Sequence, residues 1–519
     1  MIIVWTQCVT LYLWLFTRIE QLKCQPNRLA FLVRRDILGF PIDRELAGDV
    51  NNPSLELLDY VLRKQTKNKQ RFDKLDRYYN GKHGVLNRQL NENSKNTKIV
   101  INHAKYVTDM AVGFVTGNPF SYTAAPDKNI KAIQDSFDAM DIVSHDTELE
   151  KDLSVFGVAY ELLYLKAIDD TTTEERIESI DPRGVVLVTD DSVEKNPLFG
   201  IHYQKKFDLN GRENGYLVKV YTAKGVLSYR TVSGLRMITG NVGKPKYKEH
   251  YFGGVPIIEY RNNEEKQGDF EQAISLIDAY NILQSDRVSD KEAFIDALLV
   301  VYGFTIEGQL KKGMIEAPGK GADGASVEWL TKQFDESQLQ VLIKSLQDDI
   351  HKITYVPNLN DEQFAGNISG EAMKYKLFGL LNLMSMKSRY LVKGLRRRLE
   401  LMQNIMLIKS QDVDVKGTKI DITPNIPVNL TDIINNIRNA DGFIPREITV
   451  SWLPGVDDPA EVVRMLEKQK AADIAQNQKA LGQPSNSDLD DKPDDKGGYR
   501  DDQGDVSTKQ KQPDNELSD

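Results

Sequence analysis

The chain reads as α+β and mainly helical, and three features predict this. First, three long runs of helical periodicity, Asp269–Val300, Asp335–Thr354 and Glu371–Ser410, contain no proline, the residue that most strongly breaks a helix interior. Second, short β-prone runs between Ala159 and Thr239 are separated by turn pairs such as Asn210-Gly211 and Asn214-Gly215, the pattern of an antiparallel sheet. Third, beyond Gly482 the chain is Asp, Lys, Gly, Ser, Gln and Pro with almost no apolar residues, so 482–519 is expected to be a disordered acidic tail.

The 519 residues carry a net charge of −9, with 40% hydrophobic and 28% charged residues. That is ordinary for a soluble globular chain, and the sign argues against a general nucleic-acid binder with a basic stripe. It does not oppose contact with DNA that must slide. Cys8 and Cys24 share no metal-ligand spacing, which suggests a reducing compartment without a disulfide framework. Met1–Thr17 is uncharged and apolar but broken by Thr6, Gln7, Thr10 and Thr17. It lacks a basic n-region and is short for a span, so it reads as a packed terminal helix or an over-long translation start, not a membrane anchor.

Taken in order, residues 1–50 form an N-terminal extension. Ser54 is placed to cap a helix over Leu55–Tyr79, stopped by Asn80-Gly81, because glycine tolerates the left-handed position after a helix. Helices are expected over Ile99–Phe114, Asn129–Met140 and Asp146–Phe156, with a strand at Phe120–Thr123. Strands follow at Ala159–Ala167, Arg176–Ile180, Val185–Thr189, Gly200–Phe207, Leu217–Thr222, Gly225–Arg230 and Leu235–Thr239, with Val255–Ile258 closing this part. The run from Asp269 to Val300 predicts a rod of about 45 Å. Its stripe of Phe270, Ile274, Ile277, Tyr280 and Leu283 needs neighbours, since one amphipathic helix cannot bury its own apolar face. Leu298–Ile306 and Ser326–Leu330 are β-prone. Thr431 or Asp432 caps a further helix, and Pro459–Gln476 is the last.

No catalytic or cofactor signature emerges. Gly319–Gly324 matches a dinucleotide-binding glycine pattern, but Pro318 precedes it and no βαβ unit surrounds it, so it reads as a loop. The six histidines are scattered without metal-ligand spacing. No catalytic residue, metal or cofactor is therefore assigned. Arg396, Arg397 and Arg398 form a basic cluster, a candidate phosphate contact or inter-subunit face. The loop Tyr355–Gly370 between long helices is polar and uncharged at Asn358, Asn360, Gln363 and Asn367, with Asp361 and Glu362 among them, a candidate moving element.

Several ordered motifs resemble those of siphophage-type tailed-bacteriophage portal proteins. They are Tyr78–His83 with Asn87-Arg88, Asn102–Tyr106, Gly117–Pro119, Val255–Ile258, Asn262–Glu264, Leu276–Asn281, Val356–Asn358, Phe364–Asn367 and Ser369-Gly370 with the Lys374–Leu377 run. Together they span about Phe72 to Arg398. The resemblance implies a portal-type, ring-forming subunit: a wing over 51–265, a stem helix over 266–300, a clip over 301–334, a second stem helix over 335–354 and a tunnel loop over 355–370. A long wing helix with a return strand would cover 371–430, and crown helices 431–481.

On that plan the chain forms a ring, dodecameric in the virion, at one capsid vertex, through which double-stranded DNA is packaged and ejected. Its partners would be other copies of itself, DNA, the terminase, the scaffold and major capsid proteins and a head-completion adaptor, with no membrane and no enzymatic activity. Asn358, Asn360, Asp361, Glu362, Gln363 and Asn367 would face DNA. Asp278, Asp286 and Asp290 would line the tunnel, where repeated negative charge disfavours tight phosphate binding. A DNA-processing enzyme and a membrane-tethered channel are the alternatives.

Overall fold

The computed structural model describes residues 40–481 apart from 90–95, 170–171, 233, 239–241, 296–297, 303–313, 318–325, 331–335, 360–369, 427–429, 454–455 and 457–458. The N-terminal run Met1–Thr17, the glycine loop Gly319–Gly324 and the acidic tail lie outside these residues. The chain divides into two units, Met1–Pro427 and Val428–Asp519.

The first unit opens with β1 (Phe40–Ile42), a strand the sequence reading missed. Helix α1 (Leu55–Tyr79) begins where Ser54 accepts a hydrogen bond from the Leu57 N–H, a cap worth about 1 kcal/mol. It ends at Asn80, and Gly81 follows at φ +75°. Then come α2 (His103–Thr116), β2 (Ser121–Thr123), α3 (Lys131–Ala139) and α4 (Ile142–Phe156). Helix α2 starts four residues later than expected, because the Asn102 side chain caps it by accepting from the Lys105 N–H. Helix α4 starts four residues earlier.

Strands β3 (Val158–Ala167) and β4 (Thr173–Ile180) pair with β10 (Ile257–Arg261) in the order β10-β3-β4. Strands β5 (Val185–Asp190), β6 (Pro197–Phe207), β7 (Glu213–Tyr221), β8 (Gly225–Thr231) and β9 (Lys246–Glu249) join β1 in a six-stranded sheet, order β1-β5-β6-β7-β8-β9. β1 runs parallel to β5 and the remaining pairs are antiparallel. Two expectations fail here. Residues 234–238 form turns, and the sixth strand lies at β9 instead. Asn214-Gly215 is not a turn but lies within β7, where Gly215 has φ +74° and its position abuts the Thr231 carbonyl so closely that any Cβ would collide.

Helix α1 serves two cores. Leu58, Val61 and Leu62 pack on Val186, Val188, Phe199, Ile201 and Val220 of the six-stranded sheet. About three to four turns further, Phe72, Leu75 and Tyr78 enter the larger core with α2, α4, β3 and β10. Gly157 joins α4 to β3 at φ +79°, and a Cβ there would stand 2.2 Å from the Lys266 carbonyl oxygen. Only glycine fits this crossing.

After a 3-10 turn at Glu271–Ala273 comes α5 (Ile274–Ile295). Its 22 residues make a rod of about 33 Å, shorter than predicted because β11 (Leu298–Tyr302) begins three residues later. β12 (Met314–Ala317) runs parallel to β11, and β13 (Ser326–Leu330) antiparallel, in the order β12-β11-β13. Helix α6 (Glu336–Thr354) returns and packs on α5. The third predicted helix is broken once, into α7 (Gly370–Lys376) and α8 (Phe378–Ile408). β14 (Lys419–Asp421) pairs antiparallel with β2. The second unit holds α9 (Leu430–Ala440), α10 (Arg446–Val450) and α11 (Pro459–Leu481).

Candidate functional site: the junction of the long helices

Tyr78, His83 and Arg88 of the early motifs converge on one side of α5. His83 is fully buried. Its Nε2–H donates to the Tyr78 carbonyl at 2.9 Å, and its Nδ1 accepts from Asn281 Nδ2 at 2.8 Å. A hydrogen on Nε2 and a lone pair on Nδ1 satisfy both contacts. The ring also stacks on Tyr78 at 4.8 Å. Tyr78 in turn donates its hydroxyl to both oxygens of Asp278, at 2.8 and 2.7 Å. Burial, and then that carboxylate, push the Tyr78 phenol up to about 12, so it remains a donor at any physiological pH.

From there an extended segment runs along α5. The backbone N–H groups of Ile101, Ile99 and Thr97 donate to Asn281 Oδ1, Ser285 Oγ and Ser289 Oγ at 2.9, 3.0 and 3.1 Å. Alternate residues of the strand thus meet every fourth residue of the helix. Thr97 Oγ1 donates to Glu292 at 2.8 Å, and Arg88 pairs with Asp286 at 2.6 Å. Pressed along the helix, residues 97–101 need these side-chain acceptors for their N–H groups. This clasp explains why 99–101 are not helical, as the sequence reading had them. Arg287 of α5 pairs with Glu336 of α6, and Lys291 lies 3.3 Å from the same carboxylate.

The other end of α6 leads into the polar loop. Thr354 Oγ1 donates back to the Ile350 carbonyl, and Tyr355 takes φ +59° just beyond the helix. His351 Nδ1 bonds the Val356 carbonyl at 2.9 Å. Tyr106 of α2 donates to the Pro357 carbonyl at 3.0 Å and accepts from the Leu359 N–H at 3.2 Å. Asn358 therefore sits between two residues bonded to one phenol. Asn360, Asp361, Glu362, Gln363 and Asn367 lie outside the described residues. Beside this root, burial and then the neighbouring His351 and His83 hold His103 down at about 4, so it is neutral.

Helix α8 is fixed from below by two buried cations. Leu380, Met384, Lys387, Leu391, Leu395, Arg398 and Met402 are all buried and share one helical stripe. Lys387 Nζ lies 2.5 Å from Glu150 and 2.8 Å from Asp269. Arg398 is completely buried and reaches Glu161 at 2.6 Å and Asp146 at 2.7 Å. His145 and the Tyr260 hydroxyl also bond Glu161. Burial alone would push the Glu161 carboxyl up, but the Arg398 guanidinium overrides it and holds it at about 2. For Asp146 burial prevails and the carboxyl is raised. Gly394 lets α8 press onto the Tyr260 ring, where a Cβ would come within 2.3 Å.

The predicted site residues thus separate. The arginine cluster is not one surface: Arg398 is an internal tie, Arg397 pairs with Glu400 at 2.9 Å, and Arg396 is exposed. Asp278 and Asp286 are engaged by Tyr78 and Arg88 of the same chain, and Asp290 lies on the same helix, partly buried. The sequence reading missed Lys387, Glu150, Glu161, Asp146, Tyr106 and the Asn281–Ser285–Ser289 row. Two cations within an otherwise apolar stripe, and polar residues at a strict spacing of four, were the available signals. Among the described residues no group of His, Cys, Asp or Glu could hold a metal ion, and no helix is long and apolar enough to cross a membrane.

Comparison with known proteins agrees with the motifs gathered here. The portal protein of Bacillus phage SPP1 is 23% identical over 400 residues, covering 70% of this chain and 74% of the relative. The portal protein of Clostridium phage phiCD119 is 23% identical over 230 residues, covering 43% of this chain and 50% of the relative. A solved structure, "Neck of native GTA particle computed with C12 symmetry", matches 68% of this chain and 89% of its own at 12% identity, with a TM-score of 0.36. The profile of the family described as "Phage portal protein, SPP1 Gp6-like" matches residues 58–476, and the chain belongs to that family of phage portal proteins.

Proposed function

We propose that copies of this chain close into a ring, a dodecamer in the virion, at one vertex of the capsid, and that double-stranded DNA passes through its centre during packaging and ejection. The observation that carries this is the bracing of α5. One face of the helix is bonded to residues 78–88 and 97–101, and α6 packs beside it. A rod held this firmly to its own body suits a wall that must keep its bore while a polymer moves past. The ring is non-enzymatic, and ATP hydrolysis belongs to the terminase that docks on it. Scaffold, major capsid and head-completion proteins are its other partners, first in the host cytoplasm and then at the capsid vertex.

Within this reading residues 355–370 form the tunnel loop, whose Asn358, Asn360, Asp361, Glu362, Gln363 and Asn367 touch DNA without holding it. Asp278, with both oxygens bound to Tyr78, is structural. Asp286, whose side chain is 45% exposed beside Arg88, and Asp290 supply negative charge that repeats around the bore. Negative-stain imaging of the purified protein tests the ring: holed particles are expected, and a monomer under every solution condition would refute it. Deleting residues 358–367 should leave rings intact and impair DNA packaging or retention. Unchanged retention would remove the loop's assigned role.

A further inference from the structure

Helix α1 buries one side and turns the other to solvent. Along the exposed side Arg63, Lys67, Gln70, Lys74 and Arg77 follow at spacings of four and three, a row of about 21 Å. From Arg63 to Lys82 the chain carries eight Lys or Arg against two Asp. The negative total hides this row, because residues 482–519 alone hold eleven Asp or Glu against five Lys or Arg. The two acids within the stretch are already engaged: Asp76 and Asp73 lie on the flank of the helix, 2.9 and 4.0 Å from Arg183. Arg63 pairs with Asp59 at 3.0 Å, yet its side chain stays 60% exposed. Glu56, the other acid on this side, precedes Arg63 by about 10 Å. Among the described residues Lys67, Lys74 and Arg77 form no ion pair, and Lys74 only lies over the Tyr78 ring at 5.6 Å. No large apolar side chain between residues 61 and 85 is exposed.

We propose that this face of α1 binds the phosphate backbone of duplex DNA, a contact separate from the tunnel loop and α5. A protein partner needs an apolar patch to bury at the centre of its interface, and this face offers none. A polyelectrolyte needs only cations, whose approach to phosphate releases condensed counterions. The row is straight, and duplex DNA is straight over such a distance, since its persistence length is about 500 Å. Arg63, Lys67, Lys74 and Arg77 can therefore meet one duplex without bending it. Thr66 and Gln70, exposed beside them, add neutral donors for phosphate oxygens. Contacts of this kind position DNA without reading its sequence. They hold a duplex in place, the opposite of what repeated carboxylates on α5 would do. That DNA is at hand rests on the function proposed above; the contact itself requires no ring.

Fluorescence anisotropy of a labelled duplex of about 20 base pairs, titrated with the full chain from about 0.05 to 0.2 M salt, provides the test. One variant carries Lys67→Gln, Lys74→Gln and Arg77→Gln. A control loses the same charge elsewhere, through Lys206→Gln, Lys248→Gln and Lys416→Gln, three exposed lysines outside α1. All six positions are exposed, so far-UV circular dichroism should not change. The α1 variant should bind at least about tenfold more weakly at about 0.1 M salt. Its slope of log affinity against log salt should be shallower by about 2.7, or about 0.9 for each lost phosphate contact. The control should bind as the wild type does. Equal weakening in both variants would reduce the binding to net charge and overturn the assignment, as would unchanged binding by the α1 variant. Tighter binding of a single strand of the same length would overturn the choice of duplex. Duplex binding that appears only after residues 482–519 are deleted would give the row to the acidic tail and overturn it too. Protein that binds duplex through this row yet never forms rings would refute the ring reading and leave this inference standing.

Discussion

Replacing Arg398 by methionine removes the cation shared by the buried carboxylates of Glu161 and Asp146. Glu161 sits at about 2 in the fold against an ordinary 4.5, which corresponds to about 3 kcal/mol of stability. The folded carboxyl takes its proton only below about pH 2, the unfolded one already near 4.5. This stabilisation is therefore complete above that upper value and is lost as pH falls through the window. Asp146 works with the opposite sign. Its raised carboxyl is protonated in the fold before it is in the unfolded chain, so acid returns part of the loss. Without Arg398 both acids are left in an apolar interior without their cation, and a broken buried pair typically costs about 3–5 kcal/mol. Urea unfolding followed by circular dichroism at pH 7 should show a loss in that range. Adding Glu161→Leu and Asp146→Leu should recover most of it, because an apolar replacement of all three groups leaves no charge stranded. A loss below about 1 kcal/mol for Arg398→Met would refute the view that this ion cluster ties α8 to α4 and β3.

Three further outcomes follow from the same contacts. Lys387→Met should cost about 3–5 kcal/mol by stranding Glu150 and Asp269, and its effect should add to that of Arg398→Met, since the two sites lie three turns apart. Asn281→Leu should cost about 2–3 kcal/mol, because it leaves the Ile101 N–H and His83 Nδ1 without partners, and should speed hydrogen exchange at Ile99 and Ile101. Tyr106→Phe should lower stability by about 1 kcal/mol and, on the proposed function, reduce DNA retention more than ring assembly; equal loss of both would count against a role at the loop root.

Much of the architecture was legible in the chain. Helical periodicity located α1, α5, α6 and α8, and the Asn210-Gly211 turn located the hairpin between β6 and β7. What escaped was decided by contacts distant in sequence. Residues 99–101 carry a helix-like pattern, yet α5, about 180 positions later in the chain, offers their N–H groups better partners. Asn214-Gly215 carries the chemistry of a turn, but pairing with β8 holds it in a strand. Arg398 looked like its two neighbours because a run of like charges hides which member points inward. The helical phase set by Leu391, Leu395 and Met402 contained that information.

The clasp between residues 97–101 and α5 behaves as a vernier. Two residues of extended chain advance about 6.6 Å, while four residues of helix advance about 6.0 Å. The two scales coincide well enough for a few rungs and then drift apart, which limits how long such a ladder can grow. A strand also turns its N–H groups to alternate sides. Inserting or deleting one residue between Thr97 and Ile101 would therefore aim the wrong amides at Ser285 and Ser289. This short, irregular-looking stretch should tolerate exchanges of side chain far better than any change of length.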